Sequence, residues 1–571
     1  MNGFGYKYFI LLFLFPFYLC ADEETVLTSS TTDSSKVPNH ILYLMHTGNT
    51  TQALQEYEKY RDETGSHDFE LVEQIGLIVL DQGFRSSDSE TQRLALFGAG
   101  ISMNEKALYI LESGLTQGEP EQQLIALNFL ARFQNDRADQ ILRRAMTSNI
   151  LLIRLEAAYQ LAGKKDPKVV GQIEGLMAKL PEVIWPIFPQ FFALSGTPEA
   201  KKILRKLLTH QNEQIRVACV ISLAKYSHDD LLPTIRRLAS QHDIIQQEAC
   251  AAALGNLGDE SSSPKLLELA RSPNIHVRLA ALGSLYKLGR HEVREEVQNI
   301  AKTEDLFAIS LLGSMPGSEN TLVALLKNDQ LIIRLNAALA LLELRDPRCL
   351  ETLATFLIRD PRDLALGTSS SPGKSLTVWK IIPSARQNFE NDPVSLEVSL
   401  HLREEIILKS VELPETDFLM LAHTILELQQ NDLVPVLMEV MENHSTPTTI
   451  ALLKKHQQKV GAPLVRNYCN LALCRLKEPG PYADNLRDWV TQQKNIDLIQ
   501  FRPVVPLDVR ENTTGNFDLE AQEASRLLVE AFESFVSMQD DKGIDMLISV
   551  IQNGNAKNKY ALIGLLMRAI Q

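Results

Sequence analysis

One pattern of residues recurs along the chain at a nearly constant interval. It consists of an aliphatic residue, an arginine, a small residue three positions after the arginine and a leucine seven positions after it, as in Ile215, Arg216, Cys219 and Leu223. We call the arginine position the anchor. Anchors fall at positions 93, 123, 154, 185, 216, 247 and 278, which are 30 or 31 residues apart. Such regularity predicts an array of similar structural units rather than several unrelated domains.

Each unit is expected to contain two helices. The residues one before, three after and seven after the anchor share one helical face, so the second helix of the unit is amphipathic. The small residue allows a neighbouring helix to approach closely. Helix N-caps are predicted four or five residues before the anchor, at Asn149, Asn212, Asp243 and Asn274. Two such short helices cannot bury their own apolar faces, so each pair must stack on the next.

This pattern resembles the HEAT family, in particular its short bacterial form, the PBS-lyase-type HEAT-like repeats. The likeness covers residues 85–345, although the unit around Trp185 lacks the arginine and carries Pro186. The resemblance implies an all-α fold: a right-handed α-solenoid of stacked helix pairs, with 30–31 residues in each HEAT-like repeat. It also leaves a second function open, because the PBS-lyase branch handles a bound chromophore or a modified protein.

The N-terminal region predicts export. Lys7 precedes an apolar run, Tyr8–Leu19, which is too short to cross a bilayer of about 30 Å as a helix. Residues 1–21 are therefore interpreted as a signal peptide, and cleavage after Ala21 is favoured over a lipid anchor at Cys20 or an uncleaved segment. We expect the protein to be periplasmic or secreted in a bacterium. Residues 22–38 are rich in Ser and Thr and predict a disordered linker.

The regions that flank the array are also expected to be helical. Residues 39–84 predict an N-terminal helical cap, in which Gly48–Leu54 resembles half a tetratricopeptide repeat. Regular spacing is lost over 346–392, an irregular region with a predicted exposed loop. Helical periodicity returns over 393–571, which we interpret as C-terminal helical repeats and a cap.

Composition excludes several functional classes. A formal charge of −14 and a pI near 5.5 argue against a general nucleic-acid binder, which needs a basic face. The five cysteines that remain after Ala21 are too few and too scattered for a disulfide scaffold. The sequence contains no zinc-type spacing of Cys and His and no Gly-x-Ser-x-Gly motif. We therefore expect no metal, no cofactor and no catalytic residues.

The segment from Gly367 to Ser375 could be mistaken for a phosphate-binding loop. It places five residues between Gly367 and Gly373, whereas a P-loop needs four so that its backbone N–H groups surround the phosphates. No buried strand in a βαβ pattern precedes it. We interpret it as a surface loop, with nucleotide binding as the alternative.

Two residue sets are candidates for a functional role. The arginines at the anchors are expected to be structural, bonding carbonyls or carboxylates between stacked repeats, with a ligand-binding row as the alternative. These anchors are Arg93, Arg154, Arg216, Arg278, Arg334 and Arg466. The densest aromatic patch predicts core packing, with a hydrophobic docking patch as the alternative. It comprises Trp185, Phe188, Phe191 and Phe192.

These observations favour an exported, non-enzymatic scaffold or adaptor. A curved helical array offers a long surface for another protein, although the sequence does not identify that partner. A lyase or lyase-chaperone is the alternative, and it rests on fold analogy alone. The two differ in structure: a scaffold should have a broad polar groove, and a lyase should have one deep pocket with converging titratable groups.

Replacing Ala281 with leucine tests the requirement for a small residue three positions after the anchor. Ala281→Leu should overpack the contact between two helices that meet there and lower the free energy of unfolding by about 1–3 kcal/mol. Leucine is itself a good helix former, so an exposed alanine should tolerate the same change within about 0.5 kcal/mol. Denaturant unfolding followed by circular dichroism measures both. Equal effects at the two kinds of position would contradict the repeat register.

Overall fold

The computed structural model describes residues 36–359, 366–381, 393–495, 523–538 and 541–569. The predicted signal peptide lies outside these residues, as does nearly all of the predicted linker. No helix in the described ranges is both long enough and apolar enough to span a lipid bilayer.

The described residues are predominantly α-helical, as the repeat pattern predicts. The helices are α1 (Lys36–His46), α2 (Thr50–Thr64), α3 (Phe69–Phe84), α4 (Ser89–Ile101), α5 (Leu108–Gln117), α6 (Pro120–Leu130), α7 (Asp136–Ala145), α8 (Leu151–Gly163), α9 (Val170–Ala178), α10 (Phe188–Ser195), α11 (Pro198–Leu207), α12 (Glu213–Lys225), α13 (Leu232–Ala239), α14 (Ile244–Asn256), α15 (Ser263–Leu269), α16 (Ile275–Lys287), α17 (Arg294–Ala301), α18 (Leu306–Leu312), α19 (Glu319–Leu325), α20 (Leu331–Glu343), α21 (Leu350–Leu357), α22 (Pro393–Ser410), α23 (Glu415–Glu427), α24 (Val434–Asn443), α25 (Pro447–Gln457), α26 (Pro463–Arg475), α27 (Tyr482–Gln493), α28 (Glu523–Ser537), α29 (Asp541–Asn553) and α30 (Lys559–Ala569).

Shorter elements connect these helices. One antiparallel hairpin, β1 (Leu366–Ser370) and β2 (Thr377–Ile381), lies between α21 and α22. Short 3-10 segments lead into several helices, and they span Glu105–Ala107, Pro167–Val169, Glu182–Ile187, Asp229–Leu231, Glu260–Ser262, His291–Val293, Pro347–Cys349 and Ala556–Asn558.

The start of the second helix is set by a polar cap. Asn212, Asp243 and Asn274 each accept a hydrogen bond from a backbone N–H in the first turn of α12, α14 and α16, at 2.9 to 3.0 Å. These three predicted N-caps are confirmed. The prediction at Asn149 is wrong, because α8 begins one residue later and its N-cap is Ile150, whose side chain cannot accept a hydrogen bond.

The end of the second helix repeats as regularly as its start. Lys165, Gly196, Ser227, Gly258 and Gly289 all adopt a left-handed backbone conformation, with φ between 58° and 88°. In three of these turns the next residue donates its backbone N–H to the carbonyl of the leucine seven positions after the anchor, at 2.9 Å. This is the Schellman arrangement, which satisfies a helix-terminal carbonyl and turns the chain back. Because the second helices end in the same kind of turn, the chain leaves each of them in the same direction and every second helix lies on the same side of the array.

The second helices form the inner surface of the array. From α4 to α30 the even-numbered helices are the second helices, and each packs on the next, in most repeats more closely than successive odd-numbered helices pack on each other. The closer spacing of the even-numbered helices curves the array around them. In α12 the exposed stripe falls on Gln214, Ala218, Ile221 and Lys225, which are spaced as one helical face. We call the surface formed by such stripes the inner surface.

The position three residues after the anchor lies in the core, and at Cys219 the thiol lies 3.5 Å from the Leu204 carbonyl of the first helix, α11, in the same repeat. Ala157, Cys219, Cys250, Ala281 and Ala337 occupy it, and all five are fully buried. Cys219 and Cys250 are free thiols, as expected for residues at equivalent points of adjacent repeats. Burial raises their pKa values above the ordinary thiol range. Ala324, on the outer helix α19, is exposed and provides the matched control for leucine substitution.

The two ends of the array meet. Helix α30 packs along α3 and α4, so the succession of inner helices returns to its start and closes into a ring. Gly98 in α4 faces Gly564 in α30, and a Cβ atom on either would collide with the backbone of the other helix. Polar contacts lie beside this crossing: Lys557 pairs with Glu90 at 2.8 Å, and Arg61 pairs with Asp545. The C-terminal helices therefore cover the N-terminal end of the array.

Replacing Gly564 with alanine tests this closure. Alanine normally stabilises a helix interior by up to about 1 kcal/mol relative to glycine. At position 564 we expect the opposite sign, a loss of about 1–3 kcal/mol, because the added methyl group must push α30 away from α4. Thermal unfolding measures the stability, and small-angle X-ray scattering measures the opening of the ring.

The matched control is Gly175→Ala in α9, where an added Cβ meets nothing within 4 Å. That substitution should be neutral or stabilising. If Gly564→Ala and Gly175→Ala stabilise the protein equally, the contact between the two ends is absent in solution.

Candidate functional site: a hairpin on the inner surface

The irregular region between the two helical parts contains a hairpin rather than the predicted exposed loop. Leu366 pairs with Ile381 at its base and Ser370 pairs with Thr377 near its tip. At the tip, the buried Ser371 hydroxyl accepts hydrogen bonds from the backbone N–H groups of Ser375 and Leu376, both at 3.1 Å. The prediction of an exposed loop is wrong for these residues because the hairpin lies against the inner surface, which the local sequence cannot indicate.

The tip of the hairpin binds a buried carboxylate on α14. The Gly373 backbone N–H donates to Glu248 Oε2 at 2.8 Å, and the Ser375 hydroxyl donates to Glu248 Oε1 at 2.5 Å. Glu248 is fully buried beneath these donors. A Cβ atom at position 373 would lie 2.8 Å from Glu248 Cβ and 2.9 Å from the Ala249 backbone nitrogen, so this approach requires glycine. Hydrogen bonds from two donors offset the cost of burying the carboxylate.

The second strand of the hairpin is held through its backbone. Asn336 of α20 donates from Nδ2 to the Trp379 carbonyl at 3.1 Å and accepts from the Trp379 N–H at 3.2 Å. Ser310 of α18 donates to the Thr377 carbonyl at 3.3 Å. Asn336 lies two residues after its anchor, the register that Ala218 occupies on the inner stripe of α12. The inner surface therefore recognises extended backbone through side-chain amide and hydroxyl groups.

Apolar burial strengthens the docking of β2. Val378 is 1% exposed and Leu376 is 5% exposed, and Leu376 belongs to the same continuous core as the helices. Lys374 projects into solvent at the tip with φ at 53°, a left-handed conformation that a tight turn requires. The hairpin thus packs as an integral part of the array across α14, α18 and α20.

The geometry does not support the nucleotide-binding alternative for Gly367–Ser375. In a phosphate-binding loop the backbone N–H groups point at an anion. Here the Gly373 N–H and the Ser375 hydroxyl are engaged by the Glu248 carboxylate, which would repel a phosphate. The segment binds the protein's own acid instead.

The anchor arginines occupy different environments. Arg216 donates to the carbonyls of His210 and Gln211 in the preceding turn and, through Nε at 2.7 Å, to Gln246 of the next repeat. Arg334 donates to the carbonyls of Asn328 and Asp329, and Arg93 pairs with Glu121 of the next repeat.

The remaining anchors are less constrained. Arg154 and Arg278 are half-buried, whereas Arg466 is exposed. Where contacts are described for the anchors, they join a turn or two successive repeats, which is the structural role expected of this position.

The aromatic patch lies in the core. Phe188 and Phe192 are fully buried, Phe191 is 2% exposed, and Trp185 is half-buried with its indole N–H donating to the Leu180 carbonyl at 3.0 Å. The phenylalanines therefore cannot form the candidate docking patch, because the helix that carries them is an inner helix packed between its neighbours.

A charged network links the inner helices of the C-terminal half. Arg475 of α26 pairs with Glu442 of α24 and with Glu530 of α28, both at 3.3 Å, and donates to the Ser534 hydroxyl at 2.7 Å. Burial raises the pKa of Glu442 to about 7, and the attraction of Arg475 opposes that rise. These interactions connect three successive inner helices in a region where the small-residue pattern is weak.

A lyase-type pocket would require converging titratable groups, and the cavity where the two ends of the ring meet does not provide them. Its lining is apolar, with residues such as Val72, Ile75, Ile563 and Met567, and Lys559 is its charged side chain.

The residues that hold the hairpin could not be identified from local sequence patterns. Glu248 and Gly373 are 125 residues apart, and no local pattern connects them. One signal was present in the sequence. Glu248 and Asn336 are polar, whereas the equivalent positions of another repeat are occupied by Val217 and Ala218. The expectation of no metal site also needs revision: among the described residues, His423, Glu427 and His456 form a group that could hold a metal ion.

Comparison with known proteins identifies the repeats. Residues 235–307 match the family model for HEAT repeats. This segment includes α14 and α16, which carry two of the anchors recognised in the sequence. No curated protein matches the chain.

Solved structures show a distant likeness. The karyopherin Kap121p bound to the extreme C-terminus of the protein phosphatase Cdc14p is 13% identical, with a TM-score of 0.39 over 92% of this chain and 68% of that chain. Kap121p bound to the SUMO protease Ulp1p is 12% identical, with a TM-score of 0.41 over 93% of this chain and 61% of that chain. Human deoxyhypusine hydroxylase is 15% identical, with a TM-score of 0.19 over 45% of this chain and 98% of that chain. Because each of these TM-scores is below 0.5, the identification of HEAT repeats rests on the family match and the helix arrangement.

Removing the Glu248 carboxylate should release the tip of the hairpin. Hydrogen bonds to a charged group contribute about 1.5–3 kcal/mol, so Glu248→Ala should increase the population of undocked tip by roughly 10- to 100-fold. Trypsin cleavage after Lys374 should accelerate by a similar factor when opening is fast relative to cleavage. Thr368→Ala, at an exposed position on β1, is the control and should leave cleavage unchanged. Identical cleavage rates in both variants would show that Glu248 does not hold the tip.

Proposed function

We propose that this HEAT-repeat protein is an exported scaffold that binds an extended segment of a partner protein on the inner surface of its solenoid. The observation that carries the proposal is the hairpin, because the inner surface already holds an extended strand in the same molecule. The export part rests on the sequence, where Lys7, the apolar run Tyr8–Leu19 and Ala21 have the order of a signal peptide.

The contacts to β2 support backbone recognition. Asn336 contacts both the N–H and the carbonyl of Trp379, and Ser310 contacts the Thr377 carbonyl. None of these bonds depends on the identity of the strand's side chains, so the same groups can bind any extended polypeptide whose side chains fit. This is a form of peptide recognition in which main-chain bonds contribute affinity and side-chain pockets contribute specificity.

The inner surface continues beyond the hairpin. On α12 the stripe formed by Gln214, Ala218, Ile221 and Lys225 retains partial or full exposure. The hairpin contacts described above lie on α14, α18 and α20 rather than on this helix. A partner segment therefore has accessible surface that adjoins the hairpin.

Site-specific photo-crosslinking tests the proposal. A photoreactive benzoylphenylalanine at position 225 places the probe on inner helix α12, and the same residue at position 202 places it on outer helix α11 of the same repeat. Both positions are exposed lysines in the protein, so the two variants are matched. After irradiation of intact cells of the source organism, we expect a discrete protein adduct from position 225 and none, or a much weaker one, from position 202.

Two controls sharpen the result. The adduct should be found in the exported fraction, and it should diminish when an untagged copy of the protein is produced in excess. Equal labelling at the two positions, or adducts only from position 202, would refute binding on the inner surface.

A further inference from the structure

We infer that His423, Glu427 and His456 form a binding site for a divalent transition metal of the zinc type. The site would join two neighbouring outer helices, α23 and α25, on the opposite side of the array from the inner surface. The inference is independent of the proposed function.

The two helices bring the three side chains together. His423 and Glu427 are four residues apart in α23 and therefore share one face of that helix. His456 lies in the last turn of α25, and its Nε2 is 2.9 Å from His423 Nδ1. One nitrogen from each histidine and one oxygen of Glu427 all lie within 4.8 Å of one another. Three potential ligands thus face a common point.

Only a small adjustment is needed to surround a cation. With zinc–ligand bonds of about 2.0–2.2 Å in a tetrahedral arrangement, ligand atoms lie roughly 3.4 Å apart. The two imidazole nitrogens are already closer than this, so a metal would separate them slightly and draw the carboxylate inward. Glu427 is exposed at the end of α23, whereas His456 is 1% exposed and fixed by packing.

The carboxylate of the cluster already binds one cationic group, because Lys459 pairs with Glu427 at 2.8 Å.

The same surroundings limit the affinity. A metal must displace Lys459 from Glu427, and the nearby positive charge of Lys455 also opposes a second cation. Three protein ligands leave a fourth position for water, as in open zinc sites. Two imidazoles and one carboxylate favour late transition metals over Mg²⁺ and Ca²⁺, which prefer oxygen ligands.

In the metal-free protein the two histidines bond to each other. One of the facing nitrogens must then donate a proton and the other must accept it. His456 Nδ1 is buried and has no hydrogen-bond partner, so neither tautomer of His456 is fully satisfied. Binding a cation at Nε2 would replace this constrained pair with two coordinate bonds.

Isothermal titration of the full chain with Zn²⁺ tests the site, after treatment with a chelator and transfer to metal-free buffer. We expect one equivalent to bind and the melting temperature to rise with Zn²⁺ concentration, because a ligand that binds only the folded state stabilises it. Co²⁺ should bind with visible absorption bands typical of a four-coordinate site. Mg²⁺ and Ca²⁺ at the same concentrations should neither bind nor shift the melting temperature.

Two variants with accessible side chains avoid disturbing the core. His423→Asn and Glu427→Gln should each weaken Zn²⁺ binding at least tenfold without changing the melting temperature of the metal-free protein by more than a few degrees. His444→Asn, at an exposed histidine outside the cluster, is the matched control and should bind Zn²⁺ like the parent. Unchanged binding in the first two variants, or loss of the equivalent in Cys474→Ser, would overturn the assignment.

Discussion

The contact between successive second helices is the interaction on which the rest of the structure depends. Small residues meet there: Gly255 of α14 faces Ser284 of α16, whose hydroxyl donates to the Ala251 carbonyl at 2.8 Å, and Gly313 after α18 packs against Ala340 of α20. The short distance that such residues permit brings the second helices closer together than the first helices. Curvature follows directly, because one side of each repeat is narrower than the other. Repeating that difference from α4 to α30 turns the array through a full circle.

Closure changes the energetics of the array. In an open solenoid the terminal repeats have only one neighbour and need polar caps. Here the apolar face of α30 is buried against α3 and α4, and the glycine pair Gly98 and Gly564 permits the backbones to touch. Each end therefore serves as the cap of the other. The inner surface consequently has a fixed size, and the hairpin occupies part of it.

Local physical chemistry predicted much of this fold from the sequence. The 31-residue period, three N-caps and the buried small residues follow from helical periodicity and from hydrogen bonding over a few residues. Predictions that depended on distant partners were incomplete. Gly367–Lys374 lacks apolar periodicity and so resembled an exposed loop. The group to which its Gly373 and the neighbouring Ser375 donate hydrogen bonds is Glu248, on another repeat. His423 and His456 are 33 residues apart, close to one repeat, yet only the packing of α23 on α25 shows that their rings face each other.

The docked hairpin places a limit on how a partner can bind. A segment tethered in the same chain acts at an effective concentration in the millimolar range, so it competes strongly for its own binding surface. If the hairpin is undocked about 1% of the time, a partner that needs the same surface binds roughly 100-fold more weakly than its intrinsic affinity. Backbone hydrogen bonds cannot overcome this difference, because the hairpin makes the same bonds. A partner must therefore draw its affinity from side chains, and the exposed stripe of α12 is surface that it can use without displacing the hairpin's contacts on α14, α18 and α20.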